Sequence, residues 1–412
     1  MTQLVSVDDA QLKILKNIKP VHEETIPLAM AYNRVLSTAI KSPIDFPTFA
    51  NSSMDGFAVR STDIEDAAPD TPIALEVIGD IQAGSVPNGS ISVGQSMRIM
   101  TGAMLPDGSD AVIPVEHTDI DCLHTGTPLP KKVTIFYSVS SGANIRPVGQ
   151  DIKTGEIVLE VHSQLRVQEI GFLAMIGVSM VPVFCRPKVA ILSSGDELIP
   201  VGEPLTHGKI HDSNTYMLKG LVNKYGSEVI DLGIVGDNLD DVKTLLDKAV
   251  EKGVDLILST AGVSVGAYDF VRTVVERYGN LEFWRVNMRP GKPLAFGDYR
   301  GIPIIGLPGN PVSAFVGFEV FVKPGLEKLA GILASVRHTV RVITTQPIES
   351  DGRESYLRAV IKQREGIWEA ALTGHQGSGN LRSIVAANAL LLIPSEVKFL
   401  PSGTEVDAWI LD

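Results

Sequence analysis

Between residues 255 and 313 one pattern comes three times: an apolar run of strand length, then a loop built on Gly or Pro, then a segment able to start the next element. Residues 255–259 (DLILS) read as a buried strand, 260–267 (TAGVSVGA) as a loop without bulky side chains, and 269–278 as a helix. A second strand, 283–288, leads into RPGKP, and a third, 302–307, runs into PGNPVS, where Asn310 can cap a helix and Pro311 can take its first position. Loops that leave strand ends and enter helices carry unpaired N–H groups at the positive end of a helix dipole, so they suit phosphate and other oxyanions. For any one loop, a plain turn of a parallel sheet explains Gly and Pro equally well. The set, with Arg285, Arg289 and Lys292 among its loops, favours a polyanion site where open parallel sheets bind ligands.

Around this stretch, residues 188–329 continue the alternation, with strands expected at 189–193 and 228–234. A helix is expected over 239–251, whose Val242, Leu245, Leu246, Ala249 and Val250 form one stripe. Such alternation implies a doubly wound, parallel sheet between helix layers. Upstream, Ser6 can cap a helix over 6–18, and a second helical pattern runs through Ile26, Leu28, Ala29 and Val35 within 23–39. Residues 41–60 read as an ordered loop, 73–160 as a β region of short alternating strands, and 163–176 as a helix. Residues 338–412 turn β-like again and are expected to close into a small barrel or sandwich. The fold class is therefore multidomain α/β plus β: a three-layer, doubly wound, mostly parallel sheet, N-terminal β-rich regions and a small C-terminal β-barrel-like domain.

With 412 residues the chain exceeds one ordinary core. A formal net charge of −12 argues against nucleic acid or an anionic membrane as a partner, so an anionic ligand must meet local basic residues. Cys122 and Cys185 are the only cysteines, which excludes a disulfide framework or a thiolate-rich zinc site. The apolar runs are too short to span a bilayer, and MTQLVSVDDAQLKIL lacks the order of a signal peptide, so a soluble, cytoplasmic protein is expected.

Neither a P-loop nor a GxGxxG turn occurs, and no histidines have the spacing of a metal site; His207 and His211 share a loop without further ligands. GVSVG has the letters of a serine-hydrolase elbow but no recognisable histidine partner. The acids are more informative. Asp196, Glu197, Asp237 and Asp269 follow strand ends of one sheet, so they can share a crevice with Arg285, Arg289 and Lys292. A mixed set of that kind suits a magnesium-bound pyrophosphate, although Asp237 and Asp269 can equally cap the helices that follow them. In the N-terminal β region, NSSMDG with Asp55, RIMTG with Thr101 and RPVGQDI with Asp151 set polar groups beside glycine, a pattern shared by ordinary turns.

The motifs SSMDGFAVR, RIMTGAMLPDGSDAVI, NIRPVGQDI, SSGDELI, HDSNTYML, AGVSVGAYDF, RPGKPLAFG, GLPGNPVSAF, GRESYLRA and GHQGSGNLRSIVAANALL occur in this order over nearly the whole chain. Together they resemble the molybdopterin molybdenumtransferases, the MoeA and gephyrin E-domain family. The resemblance implies the last step of molybdenum cofactor synthesis: adenylylated molybdopterin is bound, molybdate is placed on its dithiolene sulfurs, and AMP is released, with Mg2+ required. It further implies a homodimer of four-domain subunits. Residues 1–22 and 182–328 would form the α/β molybdopterin-binding domain, 23–41 and 152–181 a connecting domain, 42–151 a β-rich domain contributing to the partner subunit's cleft, and 329–412 the C-terminal β domain. The upstream molybdopterin adenylyltransferase and apo-molybdoenzymes are the protein partners it suggests.

Carried over by position, Asp55, Thr101, Asp151, Glu197, Asp237, Asp269, Arg285, Arg289, Pro308 and Pro311 fall on family functional positions. The chemistry of the side chains suits Asp55, Thr101, Glu197, Asp237 and Asp269 to catalysis, the last three also as metal ligands, and suits Asp151, Arg285, Arg289, Pro308 and Pro311, with Ser264, Gly266, Lys292, Gly309, Asn310 and Ser313 of the same loops, to substrate binding. The chain departs from common family residues at Ala50, Phe57 and Ala261, and has arginine at 285 and 289 where some relatives have lysine. Two other readings are a molybdopterin adenylyltransferase, which shares the α/β loops but not the flanking β domains, and a non-catalytic scaffold or cofactor-binding protein of the same fold.

Overall fold

The computed structural model describes residues 4–121, 128–261, 270–333 and 337–411. The chain divides into two compact units, one of residues 1–38, 161–170 and 180–412, the other of 39–160 and 171–179.

In the first unit a six-stranded sheet runs in the order Glu228–Val235, Lys188–Ser194, Leu256–Thr260, Ile302–Leu307, Pro293–Tyr299, Asn280–Arg285. Successive residues of a strand face opposite sides. Val189 and Ile191 therefore join one core, under the helices Val7–Asn17 and Ser213–Lys224, while Ala190 and Leu192 join the other, under Leu239–Glu251 and Phe270–Tyr278. This is the expected three-layer arrangement. Ser6 caps the first helix by accepting from the Asp9 N–H at 3.1 Å, and Val7, Ala10 and Ile14 carry that helix's buried face.

The sheet is mostly parallel, as expected, and its exception is a strand unrecognised in the sequence, Pro293–Tyr299, which lies antiparallel between its neighbours. Its hairpin with Ile302–Leu307 turns on Arg300 and Gly301, at φ 51° and 88°, a pair of left-handed residues that matches the right-handed twist of the flanking strands. The second expected helix, within 23–39, is instead a strand, Glu23–Pro27, followed by a short 3-10 turn, Leu28–Met30. Pro27 cannot donate to a helical ladder, and the β-branched Thr25 and Ile26 fit the antiparallel pairing with Met180–Phe184.

The C-terminal part of this unit is a closed five-stranded barrel. Thr339–Thr344, Ile367–Leu372, Glu354–Arg364, Ala389–Ile393 and Glu405–Ile410 pair in turn, and the last pairs back with the first. The expected strand over 283–288 ends at Arg285, and Met288–Arg289 instead pairs with Glu354–Ser355 of the barrel, which ties the RPGKP loop to that domain.

The second unit is built on a five-stranded sheet in the order Ala111–Pro114, Gly56–Val59, Gln95–Ile99, Ile73–Ile81, Lys132–Ile135. Phe57 and Val59 face one core and Ala58 the other. Gly56 is required by backbone approach, since a Cβ there would lie 1.9 Å from the Ile113 carbonyl oxygen. Gly56→Ala is accordingly expected to cost about 3 kcal/mol, because backbone must move, and to lower the urea midpoint. A midpoint equal to wild type would show that the strands are not so close.

Candidate functional site

The loops that follow Ser194, Val235 and Leu307, together with Thr260 and Ala261, gather at one edge of the parallel sheet. Gly195 has φ 147°, and an ideal Cβ on it would fall 2.5 Å from Glu197 Oε2, so the Glu197 carboxylate folds back into space that only glycine leaves. The segment after it is fixed by a short parallel pairing of Leu198–Ile199 with Ile210–His211, and by the Ile210 N–H donating to the Glu197 carbonyl at 2.8 Å. Glu197, Leu198, Ile210, Asn214, Thr260, Ala261, Pro293 and Pro308 to Asn310 line a cleft of about 330 Å³. Beneath it the Ser193 hydroxyl bonds those of Thr215 and Thr260, each at 2.7 Å, and Asn214 Nδ2 donates to the Gly309 carbonyl at 2.7 Å.

Asp237 belongs to the same cluster. The helix after it is capped by Asn238, which accepts from the Asp240 N–H at 2.8 Å, so the capping role considered for Asp237 is taken by its neighbour. The Asp237 N–H donates to Asp196 Oδ1 at 3.1 Å. Burial first, then the charges of Asp196 and Glu197, push the Asp237 carboxyl above the usual carboxylate range. The protonated form is thus favoured by folding, and that stabilisation is lost as pH rises through the raised value. Asp237→Asn is therefore expected to melt no lower than wild type at neutral pH, and the difference should vanish below the ordinary carboxylate range. A variant that melts lower at pH 7 than at pH 4, relative to wild type, would contradict this.

A basic region adjoins the acids. Arg289 is half-buried beside the barrel, and Lys292 is exposed. Arg358, on a barrel strand, was not among the sequence candidates, although it lies in the GRESYLRA motif. Only 1% of it is exposed. Its Nε donates to Ser383 Oγ at 3.0 Å and its Nη2 to the Gly377 carbonyl at 3.1 Å, but among the described residues no carboxylate pairs with it. Burial, then the charge of Arg289, pull it down to about 10. A buried cation with a second cation near it is costly unless an anion joins them. The loop that satisfies Arg358 also reaches the loop at 308–311, because the Val312 N–H donates to the Ser378 carbonyl at 3.0 Å. The sequence signal was an arginine inside an otherwise apolar strand run, SYLRAVI.

The remaining candidates divide. Pro308 is buried, and Pro311 opens the helix Pro311–Gly317 as expected, but Asn310 makes no side-chain cap and lines the cleft instead. Ser313 is buried in that helix. Arg285 pairs in its ladder with Pro293, at the cleft wall. In the second unit, Thr101 donates to Asp55 Oδ1 through both its N–H, at 2.6 Å, and its hydroxyl, at 2.8 Å, while Asp151 forms an ion pair with Arg146. Ser264, Gly266 and Asp269 lie outside the described residues. Ala261 has φ 67°, a conformation that glycine holds without strain, and its Cβ faces Gly309.

Among the described residues, no three His, Cys, Asp or Glu side chains converge as a ready metal cage. Magnesium is commonly held by one or two carboxylates with substrate phosphates and water completing its shell, and Glu197 beside Asp237 is a donor set of that chemistry. No helix among the described residues is long and apolar enough to cross a membrane.

Three family descriptions match the chain in order: the MoeA N-terminal region (domain I and II) over residues 5–177, a probable molybdopterin binding domain over 190–328, and the MoeA C-terminal region (domain IV) over 341–411. A protein of Haemophilus influenzae named molybdopterin molybdenumtransferase is 36% identical over 409 residues, covering 98% of each chain. Molybdopterin molybdenumtransferase 2 of Mycobacterium tuberculosis is 35% identical over 416 residues, covering 98% of this chain and 99% of its own. Among solved structures, the molybdopterin biosynthesis MoeA protein from Pyrococcus horikosii superposes with a TM-score of 0.84 at 29% identity, over 99% of both chains.

Proposed function

The chain belongs to the MoeA family, and from that premise we propose how its residues serve molybdenum cofactor biosynthesis, in which it is a transferase that inserts molybdenum into molybdopterin. In this reading the substrate is adenylylated molybdopterin, the co-substrate is molybdate, and AMP leaves. The observation that carries it is one loop, 308–311, touching both the carboxylate cleft and the barrel loop that binds Arg358. A tetrahedral dianion such as molybdate supplies the countercharge that buried Arg358 lacks beside Arg289, with Lys292 at the mouth. The phosphoanhydride lies in the cleft, over Glu197 and Asp237.

Glu197, Asp237 and Asp269 are the residues that would hold magnesium. When bound, it neutralises charge on the phosphoanhydride oxygens. The protein's own part is positioning: Glu197 is fixed against Gly195, and the N–H groups and arginines face developing negative charge, so no covalent nucleophile is needed. The protein works as a cytoplasmic homodimer in which Asp55, Thr101 and Asp151 of one copy complete the cleft of the other. Complementation tests this. Asp55→Ala and Glu197→Ala should each be inactive alone, and unfolding and refolding them together should restore activity, since each mixed dimer has one intact cleft. A mixture as inactive as its parts would contradict a shared cleft.

A further inference from the structure

Trp284 precedes Arg285 on the edge strand of the α/β sheet. The guanidinium of Arg285 lies 3.8 Å from the centre of the Trp284 ring, and that of Arg272 lies 4.1 Å from the same ring. These two cations differ in what else holds them. Arg272, on the helix Phe270–Tyr278, is anchored by Glu276 one turn on, at 2.8 Å. No carboxylate among the described residues pairs with Arg285, so the indole face is the contact that sets its plane. Stacking uses a guanidinium's face and leaves its N–H edge free, and it is the edge that binds oxyanions. The ladder pairing of Arg285 with Pro293 sets this stack beside the cleft.

We propose that Trp284 is a positioning residue for the reaction: with Arg272 anchored on the same ring, it holds the Arg285 guanidinium edge-on to an oxyanion of the substrate. The inference rests on the reading that Arg285 binds the anionic substrate. It also accounts for arginine at this position, because a lysine ammonium has no planar face to lay on the indole.

Steady-state AMP release from adenylylated molybdopterin, measured on the full chain, tests it with four variants. Trp284→Leu keeps apolar bulk without a π face and should raise KM about fivefold with kcat within about twofold of wild type, whereas Trp284→Phe should stay near the wild-type KM. In an Arg285→Ala background, adding Trp284→Leu should raise KM no further, because the residue it positions is gone. Leu behaving like Phe, or KM rises that multiply in the double variant, would mean that Trp284 only fills space, and the proposal falls. An Arg285→Ala variant with wild-type KM would overturn the reading of Arg285 itself, and the role of Trp284 with it.

Discussion

Glu197→Gln is expected to reduce turnover by at least a factor on the order of 10²–10³ while leaving the fold intact. The side chain is exposed at the cleft and folded against Gly195, so the substitution keeps its shape and removes only its charge. The loop around it is held by backbone bonds, so stability should barely change. If anything, loss of one negative charge beside Asp196 and Asp237 relieves repulsion. Kinetics of AMP release and thermal melting, measured on the same preparation, separate the two effects. A variant with wild-type turnover would remove Glu197 from the mechanism.

Arg358→Met should show an even wider gap between function and stability. The methionine fills most of the buried arginine's volume but brings no charge into a site already near Arg289. Replacing buried ionic groups by apolar ones of similar size is often neutral or stabilising, here offset by the lost bonds to Ser383 and Gly377, so stability should stay within about 1 kcal/mol of wild type. Molybdate saturation should instead rise to far higher concentration, by about 100-fold, since a charge-assisted contact to the dianion is gone. An unchanged molybdate KM would place the oxyanion elsewhere.

These two residues differ in how much of their role is written in their own stretch of sequence. Glu197 was legible because Gly195 and the strand before it are local signals, and local signals also gave the Ser6 cap and the helix over 239–251. Arg358 was not, because its meaning depends on Arg289 and the loop at 377–383, brought to it only by the closed barrel. The strand Glu23–Pro27 reads as helix for the same reason: its partner, Met180–Phe184, is about 150 residues away, and without that pairing its apolar spacing looks helical. Pro293–Tyr299 was hidden by the proline and glycine that flank and interrupt it, though the Arg300-Gly301 turn was a usable hairpin sign. The cap at Asn238 could be read only as a choice between neighbours, and one hydrogen bond decided it.

The most direct measurement is AMP release from purified adenylylated molybdopterin in the presence of magnesium, with and without molybdate. Release should depend on molybdate and be lost in Glu197→Gln. Binding of the substrate with no AMP released under either condition would contradict it.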